Sequence, residues 1–135
     1  MASARKAKNK GTVGVIGLGI MGGSFAKNLA GAGWRVFGFD ISNARRREAE
    51  RAGVEIASCA ADVAAKAPVL LTSLPKPQAW MAVMREIAAA KLKPKVISEM
   101  STFAISDKEN AERIAAKAGH TMLDCPVSGT GSQAK

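Results

Sequence analysis

The sequence lacks the features that mark metal-binding, membrane-spanning and secreted proteins. Its two cysteines, Cys59 and Cys125, are far apart and match no metal-binding or redox spacing. Two reduced thiols are typical of a cytoplasmic protein, and no metal site is expected. The longest run without a charge, residues 11–26, is too short and too rich in glycine to span a membrane. The basic N-terminus is not followed by the unbroken apolar stretch of a secretory signal.

Acidic residues are also scarce, because 11 Asp and Glu stand against 20 Lys and Arg, for a formal net charge of +9. Four basic residues lie in an N-terminal segment without acids: Arg5, Lys6, Lys8 and Lys10. Such a tail can contact nucleic acid or an acidic membrane surface. Residues 1–11 contain little apolar material, so we expect a solvated, disordered extension instead. The remaining 12–135 suit one globular domain, since 47% of the whole chain is hydrophobic.

A glycine-rich stretch, TVGVIGLGIMGGSFAKNL (residues 12–29), organises the rest of the chain. Val13 to Ile16 predict a buried strand, and an amphipathic helix follows the glycines. Gly17 permits a tight turn, Gly19 allows close approach of a pyrophosphate, and Gly22 lets the helix pack on the strand. An acid roughly 20 residues further on, Asp40, completes the dinucleotide fingerprint. The alternative is a glycine-rich turn without a ligand.

Strand and helix patterns alternate along the whole domain. We predict strands at 13–16, 34–39, 54–57, 69–73, 96–100 and 121–124, and helices at 24–32, 43–52, 58–66, 78–90 and 106–118. A capping box of Ser106 and Glu109 would start the last helix. This alternation predicts an α/β fold of the Rossmann type, a doubly wound parallel sheet between two helical layers, with strand order 3-2-1-4-5-6. The cofactor crevice is expected between the first and fourth strands.

Several motifs together resemble the β-hydroxyacid dehydrogenases, which include 3-hydroxyisobutyrate, tartronate semialdehyde and 6-phosphogluconate dehydrogenases. The resemblance covers about residues 12–134. It is carried by GLGIMG (17–22), AKNL (26–29), Leu74-Pro75, Ser101-Thr102 and, most specifically, DCPVSGTGSQA (124–134). It implies an NAD(P)-dependent oxidoreductase that transfers hydride between a nicotinamide cofactor and a small 3-hydroxy acid. Ile105, Glu99 and Cys125 depart from the commonest family pattern.

The resemblance also implies roles for matched residues. The pyrophosphate would be held by Gly17, Leu18, Gly19, Met21 and Gly22. Asp40 would bind the adenosine ribose hydroxyls, Leu74 and Pro75 would pass along the cofactor, and Thr102 would approach the nicotinamide. Ser128, Gly129 and Thr130 would bind the substrate carboxylate. On composition alone, residues 128–132 are equally compatible with a polar loop without a ligand.

Cofactor choice depends on Asp40. A carboxylate accepts hydrogens from two ribose hydroxyls and repels a 2′-phosphate, so NAD is expected rather than NADP. Arg45 to Arg47 complicate this interpretation, since one of them could reach that phosphate. Their place several residues into a helix predicts an outward, solvated face instead.

The catalytic lysine of the family is expected on a helical domain after the signature loop, and no matching stretch occurs before Lys135. We therefore expect a fragment that holds the cofactor-binding domain, contains no catalytic residue of its own, and shows no turnover alone. The helical domain would carry most subunit contacts, so a full-length form is expected to be a homo-oligomer. The alternative function is a non-catalytic dinucleotide-binding module, attached to nucleic acid through the basic tail.

Overall fold

The computed structural model describes residues 9–134, so the predictions for residues 1–8 of the basic tail lie outside the described residues. Strands and helices alternate throughout this range: β1 (Thr12–Ile16), α1 (Ile20–Gly31), β2 (Arg35–Phe39), α2 (Asn43–Arg51), β3 (Glu55–Ile56), α3 (Ala60–Lys66), β4 (Val69–Thr72), α4 (Pro77–Ala89), β5 (Val96–Glu99), α5 (Ile105–Lys117) and β6 (Thr121–Asp124). The strands form one sheet in the order β3-β2-β1-β4-β5-β6, and every pairing is parallel. The predicted doubly wound fold is therefore confirmed.

Helices cover both faces of the sheet, which gives three layers. Successive side chains of a strand point to opposite faces, so β1 contributes to two separate cores. Val13 and Val15 pack with residues of α1 and α2, whereas Ile16 packs with residues of α3, α4 and α5. The second core contains Trp80, which is fully buried in α4. Because β1 is covered on both sides, its carboxyl end is held rigidly at the centre of the molecule.

Most element boundaries agree with the prediction to within two residues, and two local predictions are wrong. Helix α1 starts at Ile20 rather than Ser24, because the glycine turn leads directly into its first turn. The capping box at Ser106 does not form. The N-cap of α5 is Ala104, whose carbonyl oxygen accepts from the N–H groups of Asp107 and Lys108 at 3.1 and 3.2 Å. Tertiary contacts of this first turn, described below, override the local capping signal.

The last two residues of the predicted tail take part in the fold. The N–H of Lys10 donates to the carbonyl oxygen of Gly33 at 3.1 Å, and Gly11 accepts from the N–H of Arg35 at 2.9 Å. These bonds extend the pairing between β1 and β2 at its amino end. The described fold therefore begins slightly before the predicted boundary.

None of the helices within residues 9–134 is long and apolar enough to cross a membrane. In the same range, no group of three or more His, Cys, Asp or Glu side chains is placed so that it could hold a metal ion.

Candidate dinucleotide site

The turn after β1 depends on two glycines at points of close backbone approach. Gly17 has a φ of +92°, and a Cβ atom there would lie 2.0 Å from the carbonyl oxygen of Ser73, which follows β4. A Cβ on Gly22 would lie 1.9 Å from the carbonyl oxygen of Gly17. No side chain fits either position. The carboxyl ends of β1 and β4 and the first turn of α1 are thus brought together.

No acidic or capping side chain binds the free N–H groups at the N-terminus of α1. Gly19 is the N-cap, no side chain caps this helix, and its first turn contains no acidic residue. The first N–H groups of a helix lack partners within the helix and carry a partial positive charge. At Gly19 an added Cβ would meet only the Arg45 guanidinium, at 3.5 Å. The turn therefore leaves room for a ligand to reach these N–H groups.

Asp40 lies directly after β2 and is 7% exposed. Its Oδ2 accepts a hydrogen bond from the N–H of Leu18 at 2.8 Å, and its Oδ1 accepts from the N–H of Ser42 at 2.8 Å. Nη1 of Arg45 lies 3.7 Å from Oδ2. These contacts fix the carboxylate beside the glycine turn. Each oxygen still has a free lone pair, because a carboxylate oxygen can accept two hydrogen bonds.

These groups surround a cleft of about 550 Å³ at the carboxyl ends of β1, β2 and β4. Six residues predicted to bind the cofactor line it: Gly17, Gly19, Met21, Asp40, Leu74 and Pro75. Its walls are mainly apolar, with Phe39, Ile41 and Val83 among them. A glycine cradle, an open helix N-terminus and a fixed carboxylate suit a dinucleotide, with its anionic diphosphate and its ribose hydroxyls.

Residues 12–135 match the family described as the NAD binding domain of 6-phosphogluconate dehydrogenase. The chain belongs to this family. It is 32% identical over 118 residues to a probable 3-hydroxyisobutyrate dehydrogenase of Mycobacterium bovis, covering 87% of the chain and 40% of that protein. It is 33% identical over 129 residues to mitochondrial 3-hydroxyisobutyrate dehydrogenase of Rattus norvegicus, covering 93% of the chain and 38% of that protein.

A solved structure of Mycobacterium tuberculosis 3-hydroxyisobutyrate dehydrogenase with L-serine superimposes with a TM-score of 0.86 at 32% identity. The match covers 90% of this chain and 42% of that one. The chain thus spans about two-fifths of the length of these relatives. What the comparisons establish is an NAD-binding domain related to hydroxyacid dehydrogenases.

The remaining predicted cofactor residues of this NAD-binding domain lie outside the main cleft. The Leu18 side chain is buried in the core beneath α1 and α2, and its N–H is bound to Asp40. Gly22 lies buried against Gly17 in the first turn of α1. Thr102 is exposed in the loop after β5 and does not line the cleft. The cofactor-binding roles of Leu18, Gly22 and Thr102 therefore remain predictions from the resemblance.

The predicted substrate residues lie in the loop after β6, and all three are exposed. Thr130 contributes to a second cleft of about 570 Å³, between this loop and helices α1 and α2. The N–H of Thr130 donates to Oε1 of Gln133 at 2.7 Å, and its hydroxyl lies 2.7 Å from that of Ser132. Ser128 and Gly129 line neither cleft. The N–H of Thr130 is therefore used within the loop.

Sequence reasoning missed the part played by α2. Arg45 and Arg46 were expected to face outward, but Arg45 lines both clefts, and Nη1 of Arg46 donates to the carbonyl oxygen of Asp40 at 2.5 Å. The Arg46 guanidinium also lies over the ring of Phe39, 5.7 Å from its centroid. The short connection from Asp40 to α2 was the available signal, because it keeps the first turn of α2 near the cleft.

Proposed function

We propose that this chain is the cofactor-binding domain of an NAD-dependent dehydrogenase that acts on a small 3-hydroxy acid. The observation that carries the proposal is the placement of Asp40 and the glycine turn in one cleft, with the carboxylate held by Leu18 and Ser42. When bound there, the nicotinamide would supply the hydride acceptor or donor. The residues of the chain bind and orient it.

The glycine turn and the start of α1 would hold the diphosphate through backbone N–H groups. Asp40 would accept hydrogen bonds from the adenosine ribose. A 2′-phosphate at the same place would lie beside a carboxylate that is almost fully buried, and like charges repel strongly where water is excluded. This argument supports NAD over NADP. Arg45 offsets part of the repulsion but lies on one side only, 3.7 Å from Oδ2.

Calorimetric titrations with NADH and with NADPH test which cofactor the chain binds more tightly. We expect tighter binding of NADH, and Asp40→Asn should abolish most of that preference because it removes the charge while keeping the size. Asp107→Asn, a change at the first turn of α5, is the matched control and should leave both affinities unchanged. Tighter binding of NADPH by the unaltered chain would refute the proposal, as would an unchanged preference in Asp40→Asn.

The substrate class rests on the relatives named 3-hydroxyisobutyrate dehydrogenase and on the loop at Ser128, Gly129 and Thr130. Hydroxyls and backbone N–H groups are suitable donors for a carboxylate, and binding through the N–H of Thr130 would require its bond to Gln133 to open. In the presence of NADH, 3-hydroxyisobutyrate should shift the amide resonances of these three residues in nuclear magnetic resonance spectra. Isobutyrate, which lacks the hydroxyl, should shift them less. Equal shifts with both acids would contradict recognition of a 3-hydroxy acid.

The cellular location is proposed from the two thiols. Cys59 and Cys125 are both free in the structure. Free thiols persist in reducing compartments, which favours the cytoplasm over an extracellular location.

A further inference from the structure

A buried lysine connects loops at the carboxyl edge of the sheet. Lys108 lies in the first turn of α5 and is 7% exposed. Its ammonium group donates to the carbonyl oxygen of Ser101 at 2.7 Å, pairs with Asp124, and lies 3.2 Å from Oε2 of Glu99. An ammonium group has three N–H donors. Two of them are donated to Ser101, in the loop after β5, and to Asp124, at the end of β6. Oε2 of Glu99, on β5, lies at ion-pair distance from the same nitrogen.

Glu99 depends on this lysine. The carboxylate is completely buried, and its Oε1 accepts from the N–H of Ser101 at 2.9 Å. A buried carboxylate without a cationic partner is costly. Burial alone lowers the pKa of Lys108, but its bonds to Asp124 and Glu99 outweigh that effect and raise the pKa overall. The lysine is therefore charged at neutral pH, as the pairing requires.

The network extends to the cofactor cleft through Ser101. Its hydroxyl accepts from the N–H of Leu74 and donates to the carbonyl oxygen of Leu74, both at 3.1 Å. Leu74 follows β4 and lines the cleft. Since the carbonyl of Ser101 is bound by Lys108, the loops after β4 and β5 are held together through one residue.

The loop after β6 is held by the same group of residues. Asp124 is the last residue of β6 and pairs with Lys108. The next amides follow the chain of β5: Cys125 N–H donates to the Glu99 carbonyl oxygen at 2.8 Å, and Val127 N–H donates to that of Met100 at 3.2 Å. The start of the loop that carries Ser128 is thus aligned on the end of β5.

We propose that Lys108 is a positioning residue, whose ammonium group fixes the loops after β5 and β6 against the loop after β4. Leu74 of that last loop lines the cleft, on the side where the resemblance places the nicotinamide near Thr102. The proposal rests on the proposed function for the identity of the ligand. Lys108 does not line the cleft, so it acts through Ser101 and Asp124. Buried ion pairs often add no net stability over apolar residues of similar volume. A buried lysine whose acceptors lie on separate elements does, however, fix the orientation of those elements relative to one another.

Comparing the binding of NADH with that of ADP-ribose distinguishes a positioning role of Lys108 from a general effect on the stability of the fold. ADP-ribose contains the adenosine, diphosphate and ribose parts of NADH but no nicotinamide. We expect Lys108→Met to weaken NADH binding about five- to tenfold, less than the loss of a charged hydrogen bond to the ligand itself because Lys108 acts indirectly, and to change ADP-ribose binding less than twofold. Lys117→Met, at the exposed end of the same helix, is the control and should change neither.

Lys108→Met leaves Glu99 without its partner and can therefore misfold. Two further variants keep the test decisive in that case. Glu99→Gln with Lys108→Met removes both charges and should reproduce the selective loss. Asp124→Asn, at a half-exposed site, should give a smaller selective loss in a fully folded protein. Equal losses for both ligands in the folded variants, or no loss for either, would overturn the positioning role.

Amide hydrogen exchange of the free protein gives a readout that does not depend on the ligand. In Lys108→Met, or in the double variant, exchange at Cys125 and Val127 should accelerate at least about tenfold while Leu70 and Ile97 in the core remain protected. Unchanged exchange at both loop amides would refute the role. If the unaltered chain binds neither NADH nor ADP-ribose, the proposed function fails, and hydrogen exchange alone decides whether Lys108 positions the loops.

Discussion

A Cβ atom on Gly22 would lie 1.9 Å from the carbonyl oxygen of Gly17, so the first turn of α1 rests directly on the backbone at the end of β1. The oxygen belongs to the main chain, and a Cβ atom would be held in place by its bond to the Cα of Gly22. Neither can move aside as a flexible side chain could. The distance between helix and strand at the centre of the site is therefore set by the absence of a single carbon.

Gly22→Ala tests this contact. We expect the free energy of unfolding to fall by about 2–3 kcal/mol, because α1 must move away from β1. Urea denaturation measures the loss. Gly31→Ala, at the other end of α1, is the control: nothing lies within 4 Å of its added Cβ, so stability should stay constant or rise by up to about 1 kcal/mol. A Gly22→Ala protein as stable as Gly31→Ala would contradict the interpretation.

Arg45 should contribute to phosphate binding, because its guanidinium lines the cleft 3.7 Å from Asp40. Arg45→Gln is expected to weaken NADH binding about threefold and NADPH binding about tenfold, since NADPH carries one more phosphate. Calorimetric titrations at low and at high salt measure both affinities, and high salt should reduce the difference. Arg47→Gln, exposed on the same helix, should have no effect. Identical losses in the two variants would show that only net charge matters.

His120 should make stability depend on pH. Its Nδ1 accepts from the N–H of Lys95 at 3.0 Å, which requires the neutral ring, and burial, followed by the charge of Lys95, lowers its pKa below 6.5. Above pH 6.5 both folded and unfolded states are neutral at this residue. Below it the unfolded state takes up the proton first, so the free energy of unfolding should fall, by at most about 1.4 kcal/mol per pH unit for one proton.

Urea denaturation between pH 7.5 and 5.5 checks this dependence in a range where most carboxylates stay ionised. His120→Asn keeps an acceptor near the position of Nδ1 but does not titrate. Its stability should therefore vary less with pH over the same range. An equal slope in both proteins would assign the pH dependence to other groups.

The amino-acid sequence by itself determined the order of the elements and the centre of the candidate dinucleotide site. Gly17 and Gly22 are needed because a Cβ atom would collide with the backbone of Ser73 and of Gly17, and the spacing of the glycines indicates that need even though Ser73 is far away in sequence. The apolar runs likewise predicted the buried strands, since periodicity reports which residues leave water. Asp40 could be placed at the carboxyl end of β2 for the same reason.

Only the tertiary structure decided which side chains meet. The carboxylate of Asp40 bonds the N–H of Leu18, which is 22 positions away in sequence. Arg45 lines the cleft beside Asp40, although its place several residues into a helix had predicted a solvated face. The N-cap of α5 is Ala104 rather than the predicted Ser106, and in this helix Lys108 reaches the carbonyl oxygen of Ser101.

The physical reason is how far apart in the sequence the interacting residues lie. Backbone geometry and hydrophobic periodicity act over a few residues, so a single sequence reveals them. The pairing of Lys108 with Glu99 and Asp124 joins three separate elements, and its partners are defined only when the sheet has formed in its final strand order.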